Sequence, residues 1–277
     1  MARYQAILAY DGTAYAGFQR QSGQGSGTVQ AVVEAALRQI GWQGKTLLGA
    51  GRTDSGVHAS GQVIAFDLEW NHSPESLRAA LNANLPPDVA VKSARATRPD
   101  FHPRFDALAR RYRYSLFCRD GRDPLRERYS WRVWPEAALE RMIAPAELLL
   151  GEHDFAAFGA PPRPESSTVR TVFQAEWRAG PHPHELEFEI CANAFLYHMV
   201  RRVVYLLVAI GQGRAEGEVV RQALAAPADP GAATPLQGLA PPQGLFLAEV
   251  LYPEDVHQRP GPRRRRERED LDENECD

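Results

Sequence analysis

The order of apolar and polar positions divides the first part of the chain into alternating segments and segments of helical period. Alternation is typical of half-buried strands, whereas apolar residues three and four apart are typical of amphipathic helices. The predicted elements, in chain order, are a strand at 3–10, a helix opened by Thr28 and ending near Gly41, strands at 45–48 and 62–68, a helix opened by Ser73 and Pro74 and closed by Pro86 and Pro87, and a strand at 89–94. The order β-α-β-β-α-β predicts a ferredoxin-like unit.

The same order of elements is predicted again in the second part of the chain, with additions. The elements are a strand at 109–117, a helix at 135–150 that Pro145 interrupts or delays, strands at 169–178 and 185–191, a long helix at about 193–210, a helix at 216–225 and a strand at 245–252. Residues 151–167 contain HDFAAF and three prolines, which predicts an ordered insertion or a flexible lid.

We therefore predict an α+β fold of two ferredoxin-like, RRM-like β-α-β-β-α-β halves. The halves are expected to join in a central, mainly antiparallel sheet, with the helices outside and a cleft between the halves. The predicted domains are residues 1–105, which carry the glycine-rich loop described below, and residues 106–253. Residues 254–277 are highly charged and low in apolar side chains, so we expect a disordered tail.

Composition places the chain among ordinary globular proteins. Hydrophobic residues make up 44% and charged residues 24% of the 277 positions, and we find no apolar run of about 18 residues, so no membrane span is expected. The first residues lack the apolar core of a signal peptide. The three cysteines are odd in number and far apart, which predicts neither a disulfide framework nor a zinc site and fits a reducing cytoplasm.

The net charge of −3 conceals an uneven distribution of basic residues. Residues 95–132 contain 11 basic and 5 acidic side chains, and only Lys45 and Lys92 among the 32 basic residues of the chain are lysine. Arginine is suited to binding phosphates and base edges, so the segment is a candidate RNA-binding surface. Genome bias or thermal adaptation can account for the overall excess of arginine, but not for its clustering.

Gly49 to Gly61, GAGRTDSGVHASG, is the stretch with the strongest chemical signal. Arg52, Asp54 and Ser55 lie within a run of small residues that lets the backbone turn sharply and lets a ligand approach closely. Alternating segments on both sides predict that strands carry this loop, so Asp54 is a candidate reactive carboxylate. The alternative is a hairpin whose Asp and Ser only satisfy the backbone of a turn.

Other chemistries have weaker support. Asp54-Ser55-Gly56 matches the short signature of aspartic proteases, but that chemistry needs a second carboxylate of the same kind and no second copy exists. The glycines form neither a P-loop nor a dinucleotide fingerprint, and no HExxH pattern is present. We interpret His198 as a core histidine on an apolar helix. Tyr15 and Phe18, beside Arg20 in a polar loop, could stack on bases, although packing is favoured.

Arg201 and Arg202 lie within the apolar run AFLYHMVRRVVYLLVAI. A buried guanidinium needs a carboxylate, and a pair with Asp54 would keep that carboxylate ionised. The alternative is that both arginines extend to the surface.

Five motifs, in chain order, resemble the tRNA pseudouridine synthase A family: YDGTAYAGFQ, GAGRTDSGVHA, ARRYRY, NAFLYHMVR and GLFLAEVLY. The resemblance covers residues 4–252, and GRTDSGVHA is its most specific part. One departure is Tyr205, where the family usually has a small residue, often glycine, which puts the packing of the local helix in doubt.

The resemblance implies an isomerase that converts uridine to pseudouridine in the anticodon stem-loop of tRNA, at about positions 38, 39 and 40. Such an enzyme breaks the C1′–N1 bond and remakes it as C1′–C5, on a base taken out of its stack and without a cofactor or metal. It also implies a homodimer. The runner-up functions are a non-catalytic RNA-binding protein of two RRM-like units and, less favoured, an aspartic protease.

Matched residue by residue, the resemblance implies roles for five side chains. Asp54 corresponds to the nucleophile, Arg201 to its ion-pair partner and Arg52 to the side chain that assists base flipping. Tyr112 corresponds to the aromatic residue that packs on the target uracil, and Leu245 to a residue lining the pocket. Whether Asp54 attacks C1′, attacks C6 or removes a sugar proton is left open by the sequence.

Overall fold

The computed structural model of the chain describes residues 1–20, 27–161, 163, 165–225 and 238–253. The charged tail predicted at 254–277 lies outside the described residues. The strands and helices are β1 (Ala2–Tyr10), α1 (Val29–Gln39), β2 (Leu48–Gly49), β3 (His58–Leu68), α2 (Pro74–Asn84), β4 (Val89–Ala96), β5 (Ala109–Cys118), β6 (Trp131–Val133), α3 (Leu139–Glu147), β7 (Gly151–Asp154), β8 (Val169–Ala179), β9 (Glu185–Ala192), α4 (Met199–Gly211), α5 (Glu218–Ala225) and β10 (Leu245–Leu251).

All ten strands of the described residues belong to one sheet. The order is β4-β1-β3-β10-β5-β9-β8-β7, with β2 added on β3 and β6 on β5. The strands of the first half lie in the order β4-β1-β3-β2, and the four main strands of the second half lie in the order β10-β5-β9-β8. Counted along the chain within each half, both orders are fourth, first, third and second, which is the order expected for a ferredoxin-like unit. Only β3–β10 and β5–β6 pair in parallel. The predicted α+β class with a mainly antiparallel sheet is confirmed.

The helices of the first half begin where the sequence predicts. The Thr28 side chain accepts a hydrogen bond from the Ala31 amide, and the Ser73 side chain accepts one from the Ser76 amide ahead of Pro74. Both helices bury the apolar positions that share a face at helical spacing, namely Val29, Val33, Leu37, Leu77 and Leu81. In the described part of the chain, no helix is both long and apolar enough to cross a bilayer.

One prediction for the second half needs correction, and one pair of alternatives is decided. The helix expected from residue 193 begins at Met199, because Tyr197 forms an isolated bridge with Ala160 and His198 adopts a left-handed conformation with φ of 65°. The stretch predicted as an insertion or lid starts with β7, which pairs with β8 and extends the sheet. The part of this stretch that forms β7 is therefore an ordered insertion.

The two halves of the sheet join at a short ladder. Between β3 and β10 only two pairs form, Phe246 with His58 and Leu247 with Ala59. The His58 ring stacks on Phe246 at a centroid distance of 4.8 Å, and the backbone of Ala248 approaches Gly61 too closely for any side chain there. Ring stacking and close backbone contact therefore supplement few hydrogen bonds at this joint.

A polar cluster around Asp11 reinforces the joint. Arg128 and the Tyr129 hydroxyl donate to Asp11 Oδ2, while the Thr13 amide and hydroxyl donate to Oδ1. Partial burial alone would raise the pKa of the Asp11 carboxyl, but these donors hold that pKa well below its usual range. Asp11 follows β1 and Arg128 precedes β6, so the cluster links the two halves.

His58 makes the stability of the joint depend on pH. The side chain is 1% exposed, its Nδ1 accepts a hydrogen bond from the Gly12 amide, and burial lowers its pKa. The unfolded chain, in which histidine has a pKa of about 6.5, then binds more protons than the folded chain. We predict that the free energy of unfolding falls as the pH drops from 7 to 5, and that His58→Gln makes this fall shallower.

Urea denaturation at pH 5, 6 and 7 measures both slopes. His182→Gln, at an exposed turn, is the matched control and keeps the wild-type slope. Equal slopes in the wild type and in His58→Gln would contradict the prediction.

Candidate active site

The glycine-rich loop leaves β2 at Gly49 and enters β3 at His58, with Asp54 near its middle. A second loop, which follows β1, holds it in place: the Phe18 amide donates to the Thr53 carbonyl and the Ser55 hydroxyl donates to the Tyr15 carbonyl. The Thr53 and Tyr10 hydroxyls share a hydrogen bond of 2.8 Å. The backbone conformation around Asp54 is therefore fixed by contacts outside its own hairpin.

The second loop can lie this close because of Gly17. A side chain at Gly17 would place its Cβ 2.7 Å from the Thr53 carbonyl oxygen, and φ there is 99°, which favours glycine. Tyr15 and Phe18 are buried under the loop. They are packing residues, as favoured, and are not available to stack on bases.

Arg201 connects the loop to the second half of the molecule. Its Nη1 donates to Asp54 Oδ2 at 3.0 Å, and its Nε donates to the Ala240 carbonyl at 2.8 Å. The guanidinium is only 10% exposed and the Asp54 carboxylate 24% exposed. Arg202, the next residue, is exposed. The alternative that both arginines extend to the surface therefore holds for Arg202 alone.

The backbone segment that receives Arg201 is itself well supported. The Ala240 amide donates to the Arg201 carbonyl, and the Tyr114 hydroxyl donates to the Pro241 carbonyl at 2.8 Å. Tyr205 stacks on Trp131 and lies against Gly238, where no side chain would fit. The ring at position 205 is thus accommodated beside α4, and it packs against the same segment.

His198 is the site neighbour that sequence reasoning missed. Its Nε2 lies 3.4 Å from Asp54 Oδ2, whereas the sequence suggested a core histidine. Burial is the main cause that lowers the pKa of His198, and Arg201 and Arg202 lower it further against the opposite effect of Asp54. The imidazole is therefore neutral at neutral pH. The sequence did contain a signal for this role, because His198 lies just before the first turn of α4, which carries Arg201, the expected partner of Asp54.

Tyr112 and Leu245 lie on the same side of the sheet. The β5–β10 ladder pairs Leu245 with Tyr114 and Leu247 with Tyr112, and all four are buried. The Tyr112 ring meets Phe195 edge to face at 5.0 Å. Burial raises the pKa of Tyr112 to about 12, with the Asp54 charge adding to the rise, so its hydroxyl is neutral at neutral pH.

Arg52 makes no contact with this group that the described residues show. It is exposed, and it forms no hydrogen bond or ion pair with any residue that the structure describes. The structure thus joins Asp54 to Arg201, puts Tyr112 within the electrostatic reach of Asp54, and leaves Arg52 at the surface of the same loop.

The arginine-rich segment is not an open basic surface. Arg111 pairs with Glu189 at 2.7 Å and with Glu249 at 3.3 Å, and Arg113 lies 3.9 Å from Glu187. Further ion pairs engage Arg98, Arg119, Arg122, Arg126, Arg128 and Arg132. Carboxylates, some within a few residues and others distant in sequence, therefore neutralise most of the charge that suggested an RNA-binding surface in this segment.

The arrangement of Asp54 suits nucleophilic or basic chemistry. Arg201 and His198 both face Oδ2, and Oδ1 has no hydrogen bond with any described residue. One carboxylate oxygen is therefore anchored, and the other is left for a reactant. Among the described residues, no group of three or more His, Cys, Asp or Glu side chains is placed to hold a metal ion.

Comparisons with known proteins agree on one family. Residues 6–106 and 146–253 match the family model described as tRNA pseudouridine synthase. The chain is 44% identical to tRNA pseudouridine synthase A of Solidesulfovibrio magneticus, covering 91% of this chain and 92% of that protein. It is 38% identical to the protein of the same name from Lactiplantibacillus plantarum, over 92% and 97% of the two chains.

Among solved structures, a Cbf5-Nop10-Gar1 complex aligns over 75% of this chain and 44% of its own, at 13% identity. Its TM-score of 0.33 is too low to support an argument.

The two hydrogen bonds of Arg201 predict a stability effect. Arg201→Lys keeps the positive charge, but one ammonium group cannot reproduce the planar geometry that reaches both Asp54 and Ala240. Because a hydrogen bond to a charged group contributes about 1.5–3 kcal/mol, we expect the free energy of unfolding to fall by about that amount. Urea denaturation measures this loss of stability.

The control is Arg221→Lys, at an exposed helical arginine paired with Glu218, which should change stability by less than about 0.5 kcal/mol. A loss equal to that of the control would show that the two contacts are dispensable.

Proposed function

The chain belongs to the tRNA pseudouridine synthase family, and from that membership we propose that it isomerises uridine to pseudouridine in the anticodon stem-loop of tRNA, at about positions 38, 39 and 40. Relatives named tRNA pseudouridine synthase A that match over nine-tenths of both chains support this substrate. The observation that carries the proposal is the Asp54 carboxylate, which lies in GRTDSGVHA, is anchored through Oδ2 and has Oδ1 free.

Asp54 acts as the nucleophile in this proposal. The reaction breaks C1′–N1 and forms C1′–C5, the C5 proton is lost and N1 gains a proton, so no oxidant or reductant is consumed. Attack at C1′ and attack at C6 both begin from the free oxygen, Oδ1. Arg201 holds the other oxygen, Oδ2, and so fixes the orientation of the carboxylate.

The remaining substrate contacts are assigned by position. Arg52 is exposed on the same loop as Asp54, and its unpaired guanidinium can enter the helical stack in place of the target base. Tyr112 supplies a buried aromatic ring for the flipped uracil, and Leu245 supplies an apolar wall from the neighbouring strand. Because Tyr112 and Leu245 are buried, they would hold the detached base away from bulk water between bond breaking and bond formation.

Three further properties are part of the proposal. Residues 1–105 and 106–253 act as two domains, which the repeated strand order and the short β3–β10 ladder support. The protein works in the cytoplasm, in keeping with Cys118 and Cys191, which are buried free thiols. It forms a homodimer, because a single subunit offers only a small surface for binding a tRNA.

Light scattering tests the homodimer. A monomer at working concentration would contradict it.

Asp54→Asn tests the function. The amide keeps the size of the side chain but removes the nucleophilic charge, so tritium release from tRNA labelled at uridine C5 should fall on the order of 10⁴-fold or more. Asp120→Asn, at an exposed position, is the control and keeps the wild-type rate. Tritium release by Asp54→Asn at the wild-type rate would remove the assignment of the nucleophile.

A second assay separates the enzyme from a non-catalytic RNA-binding protein. Nucleoside chromatography of digested tRNA after incubation with the wild type should show pseudouridine. Binding without any change in the nucleosides would support the RNA-binding alternative instead.

A further inference from the structure

Tyr197 exposes an aromatic ring beside the candidate active site. Its side chain is 60% exposed, although its neighbours Leu196 and Met199 are buried. The ring stacks on that of His198 with a centroid distance of 3.7 Å and an interplanar angle of 26°. Because His198 Nε2 is 3.4 Å from Asp54 Oδ2, only one stacked ring separates Tyr197 from the reactive carboxylate.

The backbone under this ring pair is firmly held. The Tyr197 amide donates to the Ala160 carbonyl at 3.0 Å, and a Cβ at Gly159 would lie 2.6 Å from the Tyr197 carbonyl oxygen. His198 is kept at a φ of 65°, a conformation that a non-glycine residue adopts only when its surroundings require it. The outer face of Tyr197 is thus a rigid aromatic surface that the protein core does not use.

Arg202 supplies a positive charge within electrostatic reach of His198, on which Tyr197 stacks. It is exposed in the first turn of α4, it contributes to lowering the pKa of His198, and it forms no ion pair with a residue in the described part of the chain. Most arginines of residues 95–132, in contrast, are paired with carboxylates. An exposed aromatic ring beside an unpaired arginine is the combination that binds single-stranded RNA, with stacking on a base and contact with a phosphate.

We propose that Tyr197 stacks on an unpaired base next to the target uridine and that Arg202 contacts a phosphate of the same strand. This inference rests on the proposed function, because it takes the RNA to present its target at Asp54. Removing a base from its stack leaves neighbouring bases without one stacking partner, and Tyr197 replaces that partner. Stacking of this kind tolerates any base, so the pair contributes to affinity rather than to the choice of sequence.

Steady-state kinetics of tritium release with tRNA tests the role of Tyr197. Tyr197→Ala should raise KM about 5- to 100-fold with little change in kcat, whereas Tyr197→Phe and Tyr197→Trp keep the wild-type KM. Tyr197→Leu, which is apolar but has no aromatic face, should resemble Tyr197→Ala. Unchanged KM in Tyr197→Ala, or a Leu variant equal to the Phe variant, would overturn the proposal.

The matched control is Trp134→Ala. Trp134 is also an exposed aromatic residue, but it lies far from the candidate site. Its neighbour Pro135 accepts a hydrogen bond from Gln212 at the C-terminal end of α4, and the length of that helix puts Gln212 about 20 Å from His198. The control should keep the wild-type KM. Thermal unfolding of each variant shows whether a raised KM is accompanied by loss of the folded structure. Tyr197→Phe is the reference for this comparison, because it retains the ring and its packing.

The contact with the base is tested by a double-mutant cycle. Stem-loop RNAs carrying one abasic nucleotide on either side of the target are assayed with the wild type and with Tyr197→Ala. At the stacked position the abasic change and Tyr197→Ala should each raise KM and together raise it no further. Additive effects at every position would contradict a direct contact.

The phosphate contact has its own readout. Arg202→Gln should weaken binding of tRNA and reduce the slope of log binding constant against log salt by about 0.7 to 0.9. An unchanged slope would remove Arg202 from the proposal. If the wild type itself releases no tritium from tRNA, the proposed function fails; if it does and Tyr197→Ala is unaffected, only the present inference fails.

Discussion

The ion pair between Asp54 and Arg201 is the contact on which the rest of the site depends. Asp54 belongs to the loop between β2 and β3, and Arg201 belongs to the first turn of α4 in the other half of the chain. The guanidinium also bonds Ala240, which precedes β10, the strand that joins the two halves. The Arg201 guanidinium therefore holds together the Asp54 carboxylate, the first turn of α4 and the backbone that leads into β10. If the pair were broken, a half-buried carboxylate would be left without its counter-charge.

Charge around this pair is arranged in two zones. In the inner zone the charges of Asp54 and Arg201 balance and His198 is neutral, so these three side chains together carry no net charge. In the outer zone Arg52 and Arg202 are exposed and have no carboxylate partner among the described residues. Most arginines of the 95–132 segment, in contrast, are paired with carboxylates. Unbalanced positive charge is therefore placed at the rim of the site, where a phosphate chain would meet it.

Local patterns predicted much of this molecule. Strand alternation and helical period placed the elements, and an arginine inside the apolar run of α4 predicted a buried partner for Asp54. Patterns failed where distant contacts decide the outcome. The left-handed turn at His198 depends on the bridge between Tyr197 and Ala160, so helical periodicity alone extended α4 too far. Likewise, Arg111 is neutralised by Glu189 and Glu249, which lie 78 and 138 residues away in sequence.

The joint of only two residue pairs between β3 and β10 has a mechanical consequence. The main ladders within each half, β1–β3 and β8–β9, have eight and seven pairs, so between the halves side-chain contacts carry a larger share of the resistance to bending. These contacts include the stacking of His58 on Phe246 and the Asp54–Arg201 ion pair, and any bending at the joint would act on that pair because its partners belong to different halves. A polymer bound across both halves would damp this motion, so the substrate itself would complete the rigidity of the centre that acts on it.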